Sequence, residues 1–162
     1  MRPTTDNVKE SVFSIIQFGI EGRRFLDAFA GSGQMGVEAL SRGAESAVFL
    51  DNSRRSLDAV RKNLLQTGLQ EKAEVICADT VLYLRSCKKT FDIAYLDPPY
   101  QQGLLQKTLP LLPAVMSKSG VIVCEAPKEE PLPEEAGPFV LYRRYNYGKI
   151  SLAVYRRPEP ED

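Results

Sequence analysis

The chain has 162 residues and is 43% hydrophobic, enough for one domain with a real core. Its 21 basic and 21 acidic side chains cancel, which weighs against strong unaided binding to nucleic acid. Histidine is absent, which excludes Ser/His and Cys/His mechanisms and His-ligated metals within the chain.

Val8, Val12, Ile15 and Ile16 recur at helical spacing, so residues 7–16 are predicted to be a helix, with Asn7 and Glu10 as a capping box. Residues 25–29 read as a buried strand that runs into a glycine turn at Gly31. A helix follows to about Arg42, with Gly43 as its stop. The pattern repeats. Residues 47–50 form a strand, and Ser53 caps a helix with Leu57, Val60, Leu64 and Leu65 on its apolar side, ended by Gly68. Residues 73–77 form a third strand, residues 81–84 a short helix and residues 91–96 a fourth strand. Residues 104–116 have a helical pattern that Pro110 and Pro113 break or bend. A fifth strand spans 121–124, and 128–138 is a loop. Strands at 139–145 and 150–155 are joined near Asn146, Tyr147 and Gly148, a hairpin signal. Alternating strands and helices imply an α/β fold with a parallel sheet covered on both faces, and the hairpin adds an antiparallel strand near one edge. No repeat or domain boundary is visible, so residues 1–162 are expected to form a single domain.

Cys77, Cys87 and Cys124 show no CxxC spacing, so neither a disulfide frame nor a zinc site is expected. No apolar run is long enough to span a bilayer, and no signal peptide is present. The expectation is a reduced, cytoplasmic protein with no metal. Acidic residues concentrate in KEEPLPEE (128–135) and PEPED (158–162); the remainder is net basic and leaves room for one positive face.

Residues 27–36 read DAFAGSGQMG, in which Gly31, Gly33 and Gly36 match G-x-G-x-x-G between a strand and a helix. Glycine suits a sharp turn that a ligand approaches closely. By itself this pattern fits a dinucleotide as well. Asp27 discriminates, because a carboxylate beside the turn repels a pyrophosphate but suits S-adenosylmethionine, which carries a sulfonium and an ammonium. A loop cap is the alternative for Asp27. Asp51 ends the second strand, where an acid can bind ribose hydroxyls or simply form a turn. Asp79 ends the third strand, where it can accept from an adenine amino group or cap a helix.

The fourth strand ends in Asp97-Pro98-Pro99-Tyr100. Two prolines hold the backbone rigid and remove two N–H donors, so nearby carbonyls and the Asp97 carboxylate can grip an amino group by both hydrogens. The amino nitrogen of a base is a poor nucleophile, and such a grip aims its lone pair and stabilises the charge that develops on it. Tyr100 offers a face on which an extruded base can stack. The plain alternative is a rigid turn after a buried strand. Arg143 and Arg144, beside Tyr145 and Tyr147, are candidates for RNA contact or for an ordinary edge strand.

RPTTDNVKESVFSII (2–16), DAFAGSGQMGVEALSRGA (27–44), YLDPPY (95–100) and RRYNYGKISLAVYR (143–156) resemble the bacterial 16S rRNA (guanine-N2) methyltransferases, over nearly the whole chain. The resemblance implies a class I, Rossmann-like methyltransferase with a seven-stranded sheet of order 3-2-1-4-5-7-6, its last strand antiparallel. It implies S-adenosylmethionine as cofactor, N2 of one guanine as target, and small-subunit rRNA or the assembling 30S subunit as partner. It further implies that Asp27, Ala30, Gly31, Gly33 and Met35 line the cofactor turn, that Asp51 binds ribose and that Asp79 meets adenine. Asp97, Pro98, Pro99 and Tyr100 then hold the base. Arg2, Pro3, Thr4 and Thr5 match the opening motif, with Thr5 toward the cofactor and Arg2 and Thr4 toward the substrate. The family carries a short basic segment before RPTTD as part of its RNA-facing surface. Here Met1 directly precedes Arg2, so either the chain is truncated or its lineage has lost that segment, and RNA affinity is the property this departure puts in question. A DNA adenine-N6 methyltransferase, a dinucleotide-dependent oxidoreductase and a non-catalytic ribosome-binding module are the alternatives.

Overall fold

The computed structural model describes residues 6–16, 19–99 and 103–158. Among these residues eight strands form one sheet in the order β3-β2-β1-β4-β5-β8-β7-β6. The first five are β1 (Arg24–Asp27), β2 (Ser46–Asp51), β3 (Ala73–Cys77), β4 (Phe91–Leu96) and β5 (Met116–Pro127), all mutually parallel. β6 (Glu135–Ala136), β7 (Phe139–Tyr147) and β8 (Ile150–Arg156) follow, with β8 antiparallel to both β5 and β7. The helices are α1 (Asp6–Ile16), α2 (Gln34–Ser41), α3 (Arg54–Thr67), α4 (Thr80–Ser86) and α5 (Leu104–Thr108).

β4 is buried at every position, Asp92 included, as suits a largely apolar strand covered on both faces. Phe13, Phe25, Phe49 and Tyr95 fill the core on one side of the sheet, together with apolar residues of α1, α2 and α3. Leu26, Leu50, Leu96 and Tyr155 fill the other, with Leu84 of α4 and Leu105 of α5. β1 and β4 are also fastened at their starts. Asp92 accepts from the Arg24 backbone N–H at 2.9 Å and from its Nε at 3.1 Å.

The expected order is observed once β6 is set aside, because the chain's seventh long strand lies between the fifth and sixth. The strand count differs: eight, not seven. β6 falls inside the segment read as a loop, where Gly137 (φ 56°) turns the chain so that Ala136 pairs with Phe139 and is buried. The hairpin turn comes later than expected. Asn146 and Tyr147 remain in β7, and Gly148 (φ 63°) makes the reversal. The capping box at Asn7 is not formed, because α1 already includes Asp6 and the Asn7 carbonyl accepts from Ser11 Oγ at 2.8 Å. Leu65, placed on the apolar side of α3, is 69% exposed, whereas Leu57, Val60 and Leu64 are buried. Pro110 and Pro113 do break the helix after β4. α5 gives way to two 3-10 turns, Leu109–Leu111 and Pro113–Val115, each with proline near its start. β5 then starts at Met116, ahead of the expected 121, with an irregularity between its two pairings to β4.

The third glycine of the turn has a packing role. A Cβ on Gly36 would lie 2.3 Å from Phe49 Cε2 and 2.6 Å from its Cζ. Phe49 is fully buried, so its ring has nowhere to retreat. Gly36→Ala is therefore expected to destabilise the fold by about 1–3 kcal/mol. Urea unfolding measures this, and an unchanged midpoint would show that α2 and β2 separate freely.

Candidate active site

Parallel pairing brings the ends of β1 to β4 to one edge of the sheet. There Asp27, Asp51, Asp79 and Asp97 succeed one another. Asp27 pairs with Phe49 on one side and Tyr95 on the other, so β1 stops deeper than its neighbours. Asp51 and Asp97 lie two residues further along the flanking strands, on either side of this notch. Adjacent strands are about 4.8 Å apart, so the glycine turn and the Asp97 tip are immediate neighbours.

The turn is stitched to everything around it. Ala28 N–H donates to the Tyr95 carbonyl at 3.1 Å, and Ala30 N–H to the Leu50 carbonyl at 2.8 Å. Thr80 Oγ1 donates to the Ala28 carbonyl at 2.5 Å. Asn63, on α3, donates from Nδ2 to the Ser32 carbonyl at 2.9 Å. Gly31 (φ 57°) and Gly33 (φ 82°) take left-handed conformations that a side chain would strain. Gly33 is the N-cap of α2.

Each carboxylate has a structural partner. Asp27 is 2% exposed and its Oδ2 accepts the Gly36 N–H at 3.1 Å, near the start of α2. Burial pushes its carboxyl from 3.8 up to about 7. The Gly36 N–H pulls the other way and the Asp51 charge adds to the rise. Asp51 accepts the Gly31 N–H through Oδ2 and the Ser53 N–H through Oδ1, both at 2.9 Å. It thus ties β2 to the turn, and as an acceptor of two lone pairs per oxygen it keeps capacity for a ligand. Asp79 is the N-cap of α4, its Oδ1 accepting the Leu82 N–H at 3.0 Å. Asp97 is half-buried just past β4, followed by a buried Pro98 and an exposed Pro99.

The other expected residues divide. Ala30 is half-buried in the turn. Met35 is 3% exposed and packs into the core on the α1 side, so it does not offer its side chain to the open face of the turn. Arg143 is exposed, with its guanidinium 5.0 Å from the Tyr145 ring centroid. Arg144 is turned inward, donating to Ser151 Oγ at 2.8 Å and to the Pro127 carbonyl at 3.0 Å, and so clamps β5, β7 and β8. Arg2, Pro3, Thr4, Thr5 and Tyr100 lie outside the described residues.

One buried pair was not foreseen. Tyr95 Oη donates to Glu125 Oε2 at 2.9 Å, and both residues are buried beneath the Asp97 tip. Burial, followed by the charges of Asp97 and Glu125, holds the phenol well above its usual range and therefore protonated, as a donor. The signal was legible: Glu125 is a fifth acid near a strand end, after VIVC. Among the described residues no group of His, Cys, Asp or Glu could hold a metal ion. No helix among them is long and apolar enough to cross a membrane.

Four carboxylates around one notch disfavour a pyrophosphate and suit a ligand that brings positive charge and amino groups. The tight left-handed turn between β1 and α2 leaves backbone, not side chains, to meet it. This fold and edge define a class I methyltransferase, the class that uses S-adenosylmethionine. The family model described as Conserved hypothetical protein 95 matches residues 1–156. YlbH of Bacillus subtilis (strain 168) is 39% identical over 161 residues, covering 96% of this chain and 88% of that protein. Ribosomal RNA small subunit methyltransferase D of Escherichia coli (strain K12) is 33% identical over 161 residues, covering 97% and 80%. The structure of yhhF from Escherichia coli superposes with a TM-score of 0.88 at 31% identity, covering 99% of this chain and 89% of that one. An RNA methyltransferase from Salinibacter ruber, in complex with S-adenosyl-L-homocysteine, shares the fold at a TM-score of 0.76 and 17% identity, covering 99% and 98%. The chain belongs to the Conserved hypothetical protein 95 family, the rRNA methyltransferase family of these relatives.

Folding raises the Asp27 pKa, so the folded chain holds an extra proton between about pH 3.8 and 7, and stability falls as pH rises through that window. Once the carboxyl is fully ionised, the loss is on the order of 4 kcal/mol. Asp27→Asn keeps an oxygen for the Gly36 N–H and removes the charge. In the absence of ligand it is expected to flatten the decline, gaining stability over the parent at about pH 8 but not at about pH 4. Urea unfolding across pH checks this, and parallel pH profiles for the two proteins would overturn it.

Proposed function

We propose that the chain methylates the exocyclic N2 amino group of a guanine in small-subunit rRNA. The observation that carries this reading is the register of β1 against β4, which sets the Asp97 tip directly beside the glycine turn. S-adenosylmethionine, when bound, supplies the electrophilic methyl group.

The residues then divide the work. Asp27 forms the floor of the notch, and a cationic ligand above it would favour its ionised form. Backbone of Ala30, Gly31, Gly33 and Met35 lines the turn. Asp51 receives ribose hydroxyls and Asp79 an adenine amino group, each with acceptor capacity beyond its structural bond. Thr5 meets the cofactor, and Arg2 and Thr4 meet the substrate. Asp97 and the carbonyls around Pro98 and Pro99 accept both hydrogens of the target amino group, which turns its lone pair outward. The Asp97 carboxylate also stabilises the positive charge that grows on that nitrogen. Tyr100 stacks on the base, and Arg143 contacts RNA backbone. Arg144 belongs to the same basic pair, but its two hydrogen bonds make it the support of that surface. The protonated Tyr95 phenol and Glu125 brace the strand tips from below. A small-subunit rRNA substrate, free or in the assembling 30S particle, goes with a cytoplasmic location.

Support for the substrate comes from the relatives: the Escherichia coli protein is named for the small ribosomal subunit. The deciding experiment incubates the protein with tritiated cofactor and unmethylated small subunits, free 16S rRNA or DNA, then maps the label. Label on guanine N2 of the rRNA is expected. Label on DNA adenine, or none on any nucleic acid despite cofactor binding, overturns the reading. Asp97→Ala is expected to lower kcat by at least about 100-fold while affinity for S-adenosylhomocysteine stays within about twofold. Joint loss of both would give Asp97 to the cofactor.

A further inference from the structure

At the opposite edge of the sheet, four cationic side chains border one cleft. Arg23, Lys118, Arg156 and Arg157 line a cavity of about 920 Å³ between the end of α1 and the start of the long run of β5. Asp92 is the one acid among its described lining residues; Arg24 holds it through the bonds given above, and Arg23 Nη1 lies 3.7 Å from its Oδ1. Among the described residues, neither Lys118 nor Arg157 has a carboxylate within ion-pair distance. Arg156 Nε is buried with no hydrogen-bond partner among them. The cleft therefore holds more positive charge than its own side chains neutralise.

The cleft continues into a strip of aromatic rings. The Arg156 guanidinium stacks 5.1 Å from the Tyr142 ring centroid, and Tyr142 is 60% exposed. β7 carries an extra residue at this point, since Leu141 pairs with Tyr155 but Arg143 with Val154. The bulge re-aims the Tyr142 side chain. Further along, Arg143 lies over Tyr145, and Tyr147 is 36% exposed. Register links the strip to the site. Leu96 pairs with Cys124, so Asp97 is level with Glu125, which pairs with Leu152, which pairs with Tyr145. Tyr145 is thus level with Asp97 and three strands away, about 14 Å.

We infer that this strip and cleft dock single-stranded RNA flanking the target base, with Tyr142 stacking a nucleobase and Lys118, Arg156 and Arg157 binding backbone phosphate. The inference rests on the rRNA substrate proposed above. Rings interleaved with guanidiniums suit unpaired nucleotides, because every base has a face to stack and every linkage an anion to neutralise. A near-neutral chain then binds RNA through one localised positive track, not through overall charge. The double-stranded form offers no unstacked base to Tyr142.

The test titrates the full chain with a short labelled single-stranded RNA over a range of salt, following fluorescence anisotropy. Tyr142→Ala is expected to weaken binding about tenfold. The double variant Lys118→Ala/Arg157→Ala is expected to reduce the slope of log affinity against log salt by about 1.4, the loss of two phosphate contacts. Affinity for S-adenosylhomocysteine and the unfolding midpoint should match the parent in both. With methylatable rRNA, KM should rise while kcat is retained. Unchanged RNA affinity and salt slope in both variants overturn the docking surface, even where methyl transfer to rRNA is established. Weakened RNA binding in the variants of a chain that transfers methyl to no RNA supports the surface and sinks the proposed activity instead.

Discussion

Everything at the carboxyl edge depends on the early end of β1. The strand is four residues long and sits between β2 and β4. Its neighbours run on beyond it, so the chain leaves the sheet inside a notch with a wall on either side. Ridding the notch of side chains is the task of the glycines, and holding its shape falls to hydrogen bonds from β2, β3-α4 and β4. A strand one turn longer would fill the space with its own backbone. The positions of Asp51 and Asp97 have meaning only relative to that gap.

Asp27 shows what the notch demands of the fold. A carboxyl group buried this deeply ionises only at a cost, and among the described residues its hydrogen bond comes from the Gly36 N–H. An apolar residue at the end of β1 would suit stability better. Strain of this kind concentrates where a protein meets a ligand, because a binding site is a place where the folded chain by itself is unfinished. The neighbouring Tyr95–Glu125 pair is the contrary case, a buried acid given a proper donor.

Much of this was readable from the residues. The turn chemistry of Gly31 and Gly33 is local: it follows from two left-handed backbone positions between an apolar strand and an amphipathic helix. The helix caps at Ser53 and Asp79 follow from local chemistry too, and for Asp79 the plain reading as a cap holds whatever else the side chain does. What escaped was decided by distant partners. β6 is two residues long, and nothing in Glu135–Ala136 announces a strand until Phe139 pairs beside it. Leu65 fits the apolar spacing of α3, yet it falls just past the margin of the face that β2 and β3 cover. Arg143 and Arg144 look equivalent in sequence. Successive side chains of a strand point to opposite faces, so one reaches solvent while the other finds Ser151 and Pro127. Met35 and Gly36 belong to the turn by spacing but to the core by packing.

The placement of β8 has a consequence for how the molecule comes into being. The last strand of the chain is not at the rim of the sheet but inside it, hydrogen-bonded to β5 on one side and β7 on the other. As synthesis proceeds, β1 to β5 can associate early, while one flank of β5 and the facing flank of β7 stand as open pairing edges until residue 156 has emerged. Such edges recruit strands from other molecules. β8 therefore acts as a keystone: a nascent chain halted shortly before it would carry a nearly complete methyl-transfer edge on a sheet split down its length.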